Sequence, residues 1–376
     1  MNMKRMELSE FKDRIAARSI TRRQMHKVLA SVGVVTVSTP LLSQPAAAES
    51  TIQVFTWSGY DVEQMRPGFD AMYGAPGYLL FADNDEAIEK VRAGYAPTLA
   101  QPTSYLIGRW RDAGLIKQID TSRLSNWDNV FDQLKTITGI SYEGETWGAP
   151  LAWGNSSVLY RKDLAPEYVG NDSWGILWDP KYSGRLAQRD SVDAGFLEAA
   201  LILGIENPYQ MSDADLERCR AYLVEQRPLL RYYWSSQSDV EQSLASGEIV
   251  AAYAWNDAYA SLKRQGYDVG YMIPKEGILT WVDSTIMIEN GPGDEQEAYD
   301  YLNATLSPET GVFMIEEYGY GSVNRVAFEM ANQELLVELG IEDPDKVMAL
   351  GVFFDEWDPE VREKASNMWE ELKAGF

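Results

Sequence analysis

Two reactive residue types are almost missing from this chain. Its 376 residues hold one cysteine, Cys219, and one histidine, His26. A lone cysteine excludes an intramolecular disulfide, and its place in a helix-like stretch, Ser212 to Glu225, reads as packing. Basic residues are scarce as well: 33 Lys and Arg stand against 57 Asp and Glu, a net charge of −24. A polyanion of this kind repels nucleic acid and anionic membrane, and its field favours cationic small molecules, although acidity also serves solubility. The sequence has no glycine-rich phosphate loop, nucleophile elbow or HExxH pair. An enzyme would be left with lysine or carboxylate chemistry, so no catalysis is expected.

The apolar run from Val28 to Leu42 is too short for a membrane span, which needs about 20 residues. It belongs to a three-part pattern. Thr21 to Lys27 is a basic segment with the pair Arg22-Arg23, the apolar run follows, and Ala46-Ala47-Ala48 offers a small-residue cleavage site. Residues 1–48 therefore read as a secretory signal of twin-arginine type, cleaved after Ala48, and the mature chain is expected in the periplasm. His26 leaves with this segment, so the mature chain has no imidazole for acid–base work or metal binding. What remains has 25 basic and 54 acidic side chains. No cysteine lies near the cleavage site to carry a lipid anchor.

The mature chain alternates strand and helix patterns. Thr51 to Trp57 alternates apolar and polar residues and predicts a strand. Asp83 predicts an N-cap for a helix to Arg92, with Glu86 three residues on. Thr98 to Gln101 predicts a short strand ending at Pro102. Ser212 with Asp215 repeats the capping pattern, Val240 to Leu244 continues a helix toward Gly247, and Ile249 to Tyr253 reads as a buried strand. Glu295 to Leu306 predicts another helix. This alternation means an α/β protein with mostly parallel sheets.

Aromatic residues are plentiful, with 12 Trp and 21 Tyr, and many stand at the ends of predicted strands. Trp57 and Tyr60 follow the first. Tyr105 follows the strand that ends at Pro102. Trp153 follows Ala149 to Ala152, and Trp255, with Asn256 and Asp257, follows the buried strand. Trp281 and Asp283 are two residues apart, and Tyr320 lies in a glycine-flanked segment. Open α/β sheets bind ligands at strand C-termini. A ring face attracts an ammonium by roughly 0.5–2 kcal/mol, so rings plus a carboxylate make an amine cage. Core packing is the competing explanation for each ring alone. Tyr232-Tyr233 lacks a histidine partner for iron, and the acid-rich Asp355 to Glu360 lacks calcium-loop spacing. No cofactor or metal is expected.

Several segments in fixed order carry a family resemblance: Val54 to Tyr60, Gly114 to Asp120, Trp147 to Pro150, Ser173 to Gly184, Pro274 to Gly277, Trp281 to Ser284 and Tyr318 to Tyr320. The chain resembles the spermidine/putrescine-binding proteins of polyamine ABC importers over its whole mature length. The resemblance implies a two-lobe periplasmic-binding-protein fold of type II that closes like a hinge. One lobe is expected at 49–155 and 280–328, the other at 156–279 and 329–376. It implies a monomer that delivers a small amine to an inner-membrane permease. By resemblance, Trp57, Ser58 and Tyr60 form the first ligand-facing loop and Thr103 and Tyr105 the second. Trp255, Trp281 and Tyr320 form aromatic walls, and Asp283 pairs with the amine. The chain departs from the pattern at two further acids, where Ser191 and Ala194 stand, flanked by Asp190 and Asp193. Asp190 is kept as a ligand candidate. With both acids lost, a zwitterion such as γ-aminobutyrate or another amino acid, an opine-like compound or thiamine becomes the alternative, with Arg189 as a carboxylate partner. Thr98 also replaces a usual aspartate.

Overall fold

The computed structural model describes residues 49–375. The expected export signal, residues 1–48, lies outside them. Nine strands carry the description: β1 (Gln53–Trp57), β2 (Gly77–Phe81), β3 (Leu99–Ala100), β4 (Ala149–Arg161), β5 (Leu186–Arg189), β6 (Leu230–Trp234), β7 (Ala251–Trp255), β8 (Ile278–Ile288) and β9 (Gly351–Phe353). Five helices matter for the site: α1 (Asn84–Arg92), α2 (Val192–Ile202), α3 (Gln237–Ser246), α4 (Asn256–Arg264) and α5 (Pro359–Ala374). The main sheet runs β2-β1-β3-β8-β4-β7-β5-β6. β1 is parallel to β2 and β3, and β5 is parallel to β6 and β7. The two long strands β4 and β8 are antiparallel and join these halves.

Two lobes follow from how the apolar residues divide. In the first lobe β1 is covered on both faces. Val54 packs with Leu99, Met287 and Tyr301, while its neighbour Phe55 packs with Ile88, Ala100 and Ile286 on the other side. A strand buried on both faces reads as near-continuous apolar sequence, as Val54-Phe55 does. The second lobe has its own core of Val158, Trp174, Phe196, Leu216 and Tyr253. Cys219 is buried in it.

Local signals act as the sequence predicts. Asp83 caps α1 by accepting from the Asp85 amide, and Ser212 with Asp215 forms a reciprocal capping box. The chain passes between the two cores in β4 and β8. The last crossing comes later than expected. Leu336, Ile341 and Met348 pack into the first lobe's core with Ile52 and Val54. At β9 the chain turns to the second core, with Val352 packed against it and Trp357, Ala365, Trp369 and Leu372 buried in it. The segment after 329 therefore stays with lobe 1, because its apolar positions are buried there. Among the described residues no helix is long and apolar enough to cross a membrane.

Candidate functional site

The cleft lies where parallel strands of both lobes end. Trp57 closes β1, Thr103 follows β3, Arg189 closes β5 and Trp255 closes β7. Together they help to line a cavity of about 500 Å³. Nine of the eleven residues singled out from the sequence are in its wall: Trp57, Ser58, Tyr60, Thr103 and Tyr105 from the first lobe's loops, then Trp255, Trp281, Asp283 and Tyr320.

Two are elsewhere. Trp153 is 1% exposed, packs in the first lobe's core and donates its indole N–H to the Ser322 carbonyl at 2.9 Å. Side chains of a strand alternate between faces, and this ring points into the core. Asp190 is absent from the wall. It accepts from Lys373 Nζ at 2.8 Å and Trp369 Nε1 at 3.1 Å, which tie it to α5. Asp193, in the first turn of α2, lines the cavity instead.

Asp283 is built into the cleft by its strand. The β8/β4 register shifts between Asp283 and Ser284, and such a bulge re-aims side chains. Ser284 then bonds the Pro102 carbonyl, while Tyr60 and Thr103 donate to the Asp283 carboxylate at 2.8 and 3.0 Å. Asp283 is 7% exposed. Burial lifts its carboxyl to about 6, against the opposing pull of the two hydroxyls and of the Arg189 charge. Asp257, in the first turn of α4, is a second acid in the wall. Burial raises it too, to about 6, although Gln237 and Tyr320 donate to it. Neither acid has an ion-pair partner among the described residues.

Aromatic rings complete the wall. Trp281 and Tyr320 meet edge to face, with centroids 4.8 Å apart. Trp255 meets Trp234 the same way at 5.3 Å, and Tyr105 lies 5.5 Å from Phe354. The Arg189 guanidinium lies 4.7 Å from the Trp255 ring centre.

A charged network crosses the cleft mouth. Arg362 on α5 donates to Asp193 at 2.8 Å and to Asp85 on α1 at 2.9 Å. Tyr105 donates to the other Asp193 oxygen at 2.9 Å, and Arg109 also holds Asp85. Burial would raise the Asp85 carboxyl, but the two arginines hold it below its ordinary value.

Sequence reading missed Asp257 and Arg362. Asp257 was visible beside Trp255, but an acid in a first helical turn is ordinarily a partner of the helix dipole. Nothing local marks Arg362, which reaches the cleft only through the fold. Among the described residues no group of three or more His, Cys, Asp or Glu is arranged to hold a metal.

Residues 82–336 match the family described as bacterial extracellular solute-binding protein. The putrescine-binding periplasmic protein of Escherichia coli (strain K12) is 25% identical over 347 residues, covering 88% of this chain and 93% of that one. The putrescine/agmatine-binding protein of Pseudomonas aeruginosa is 23% identical, with 88% and 93% covered. Among solved structures, the substrate-binding protein of a spermidine/putrescine ABC transporter from Streptococcus pneumoniae superposes with a TM-score of 0.72. It is 18% identical and covers 87% of this chain and 99% of that one. The match spans well over half of the sequence, and the chain belongs to the bacterial extracellular solute-binding proteins.

Proposed function

We propose that this chain is the periplasmic solute-binding component of an ABC importer and that it captures a putrescine-like polyamine between its lobes. One observation carries the ligand class. The buried Asp283 and the half-buried Asp257 share an aromatic-walled cavity, and neither has an ion-pair partner among the described residues, Arg189 acting on Asp283 only from beyond ion-pair distance. An unpaired buried carboxylate is costly, and a ligand ammonium removes that cost. The rings add about 0.5–2 kcal/mol per well-placed cation. Tyr320 touches both environments: it bonds Asp257 and stands against Trp281. A diamine held this way is bound and released unchanged, and the open lobes present it to a permease.

The test is calorimetry with putrescine, cadaverine and spermidine, alongside a thermal-shift screen. A ligand that binds only the folded state at 100 times its Kd stabilises it by about 2.7 kcal/mol. Saturable binding of at least one of these amines is the expected result. A folded protein that binds none of them at millimolar concentration would refute the reading.

A further inference from the structure

The polyamine reading leaves one charged wall residue without a task. Arg189 ends β5, lines the cavity and lies against the Trp255 ring. Its guanidinium has no carboxylate or hydrogen-bond partner among the described residues. Asp193 is engaged by Arg362 and Tyr105, and Asp190 by Lys373 and Trp369, while Asp283 feels the guanidinium only from beyond ion-pair distance. A guanidinium presents five donors in a rigid fork matched to a carboxylate, and stacking on an indole holds that fork in place. Ser191 lines the cavity close by, at the N-cap of α2, and its side chain makes no capping bond. Serines 235, 236 and 238 also line the wall.

The wall thus sets Asp283 and Asp257, which lack an ion pair, against one guanidinium that also lacks one. A plain diamine satisfies the first pair and leaves the arginine without an ion-pair partner. A diamine bearing one carboxylate satisfies all three. We infer that Arg189 recognises a carboxylate and that the cleft prefers an α,ω-diamino acid over the corresponding diamine. The inference deepens the amine-binding reading and rests on it, since Asp283 and Asp257 still take the ammonium groups.

Ornithine and putrescine are the decisive pair, because they differ only by the carboxylate. Their dissociation constants are measured by calorimetry on the wild-type protein and on Arg189→Gln and Arg189→Lys. The expected results are tighter ornithine binding in the wild type and a fall of about tenfold or more in that preference in Arg189→Gln. Arg189→Lys keeps the charge and is expected to retain part of the preference, which separates recognition from loss of fold. The inference is overturned if putrescine binds more tightly than ornithine to the wild type. It is equally overturned if Arg189→Gln leaves the ratio unchanged within about threefold. Both of those outcomes leave the amine site standing. Failure of either amine to bind the folded wild type overturns the amine reading and the inference together.

Discussion

Asp283 is set by three separate segments: its own bulged strand, Tyr60 after β1 and Thr103 after β3. The hydroxyls fix its orientation without neutralising it, which leaves its charge for a ligand. Replacing it with asparagine keeps the shape and removes the charge. Asp283→Asn is expected to weaken putrescine binding by about 1.5–3 kcal/mol, the usual worth of a hydrogen bond to a charged group. Unchanged affinity in a folded variant would make Asp283 structural. The two acids also set a pH dependence. In the unfolded chain both titrate near about 4, while in the ligand-free fold both titrate at about 6. Between these values the native state holds protons that the unfolded chain has released. Their contribution to stability is therefore complete below about 4 and is lost as the pH rises through about 6. Ammonium binding takes the ionised forms and runs the opposite way. Affinity is expected to fall as the pH drops below 6, and binding at pH 6 should release about one proton in total. Calorimetry in two buffers of different ionisation heat reads that proton; binding without release would rule out carboxylate titration. Much of this was legible at the residue scale, because aromatic residues at strand ends and the spacing of Trp281 and Asp283 are local patterns. Trp153 has the same local pattern but faces the core, since one step along a strand reverses the side chain.

β4 and β8 carry the cleft floor, and a glycine governs how closely they approach it. A Cβ at Gly154 would stand 2.3 Å from Trp281 Cζ2 and 2.8 Å from Asn256 Oδ1. Both neighbours are fixed. Trp281 meets Tyr320, and Asn256 Oδ1 accepts the Asn155 amide at 3.1 Å. Gly154→Ala must therefore move the ring or the α4 start. It is expected to cost about 1–3 kcal/mol of stability, as overpacking does, and to weaken amine binding because Trp281 shifts. Thermal melts and calorimetry check both effects. A stable variant with wild-type affinity would show that the floor can give at no cost. The elements themselves could be read from the sequence wherever capping and periodicity agree, as at Asp83 and Ser212. The late crossing at β9 could not. Leu336, Ile341 and Met348 are apolar positions that either lobe could bury, and only the assembled core assigns them to the first.

Across the whole molecule, the lobes touch through Arg362. This residue belongs to the second lobe through α5, and its partner Asp85 belongs to the first through α1, whose Ile88 and Val91 are core residues there. Asp193, held by the same guanidinium, stands on the second lobe and meets Tyr105 of the first. The network thus spans the cleft mouth and strengthens only when the lobes are together. The Arg362–Asp85 pair is partly exposed, with side-chain exposures of 16% and 47%, so its worth lies near the surface range of about 0.5–1 kcal/mol. Any interaction present only in the closed state adds to apparent ligand affinity, because the ligand need not itself provide that part of the closure energy. Asp85→Asn removes the cross-lobe charge, together with the partly exposed Arg109 pair inside the first lobe, and leaves the Arg362–Asp193 pair in the second lobe intact. It is expected to weaken amine binding by roughly two- to fivefold, the equivalent of that ion-pair range. The thermal stability of each lobe should change little. The loss should shrink in high salt, where the exposed pair is already screened in the wild type. Calorimetry at two ionic strengths makes the comparison. Equal affinities for wild type and variant at low salt would mean that the contact accompanies closure without stabilising it.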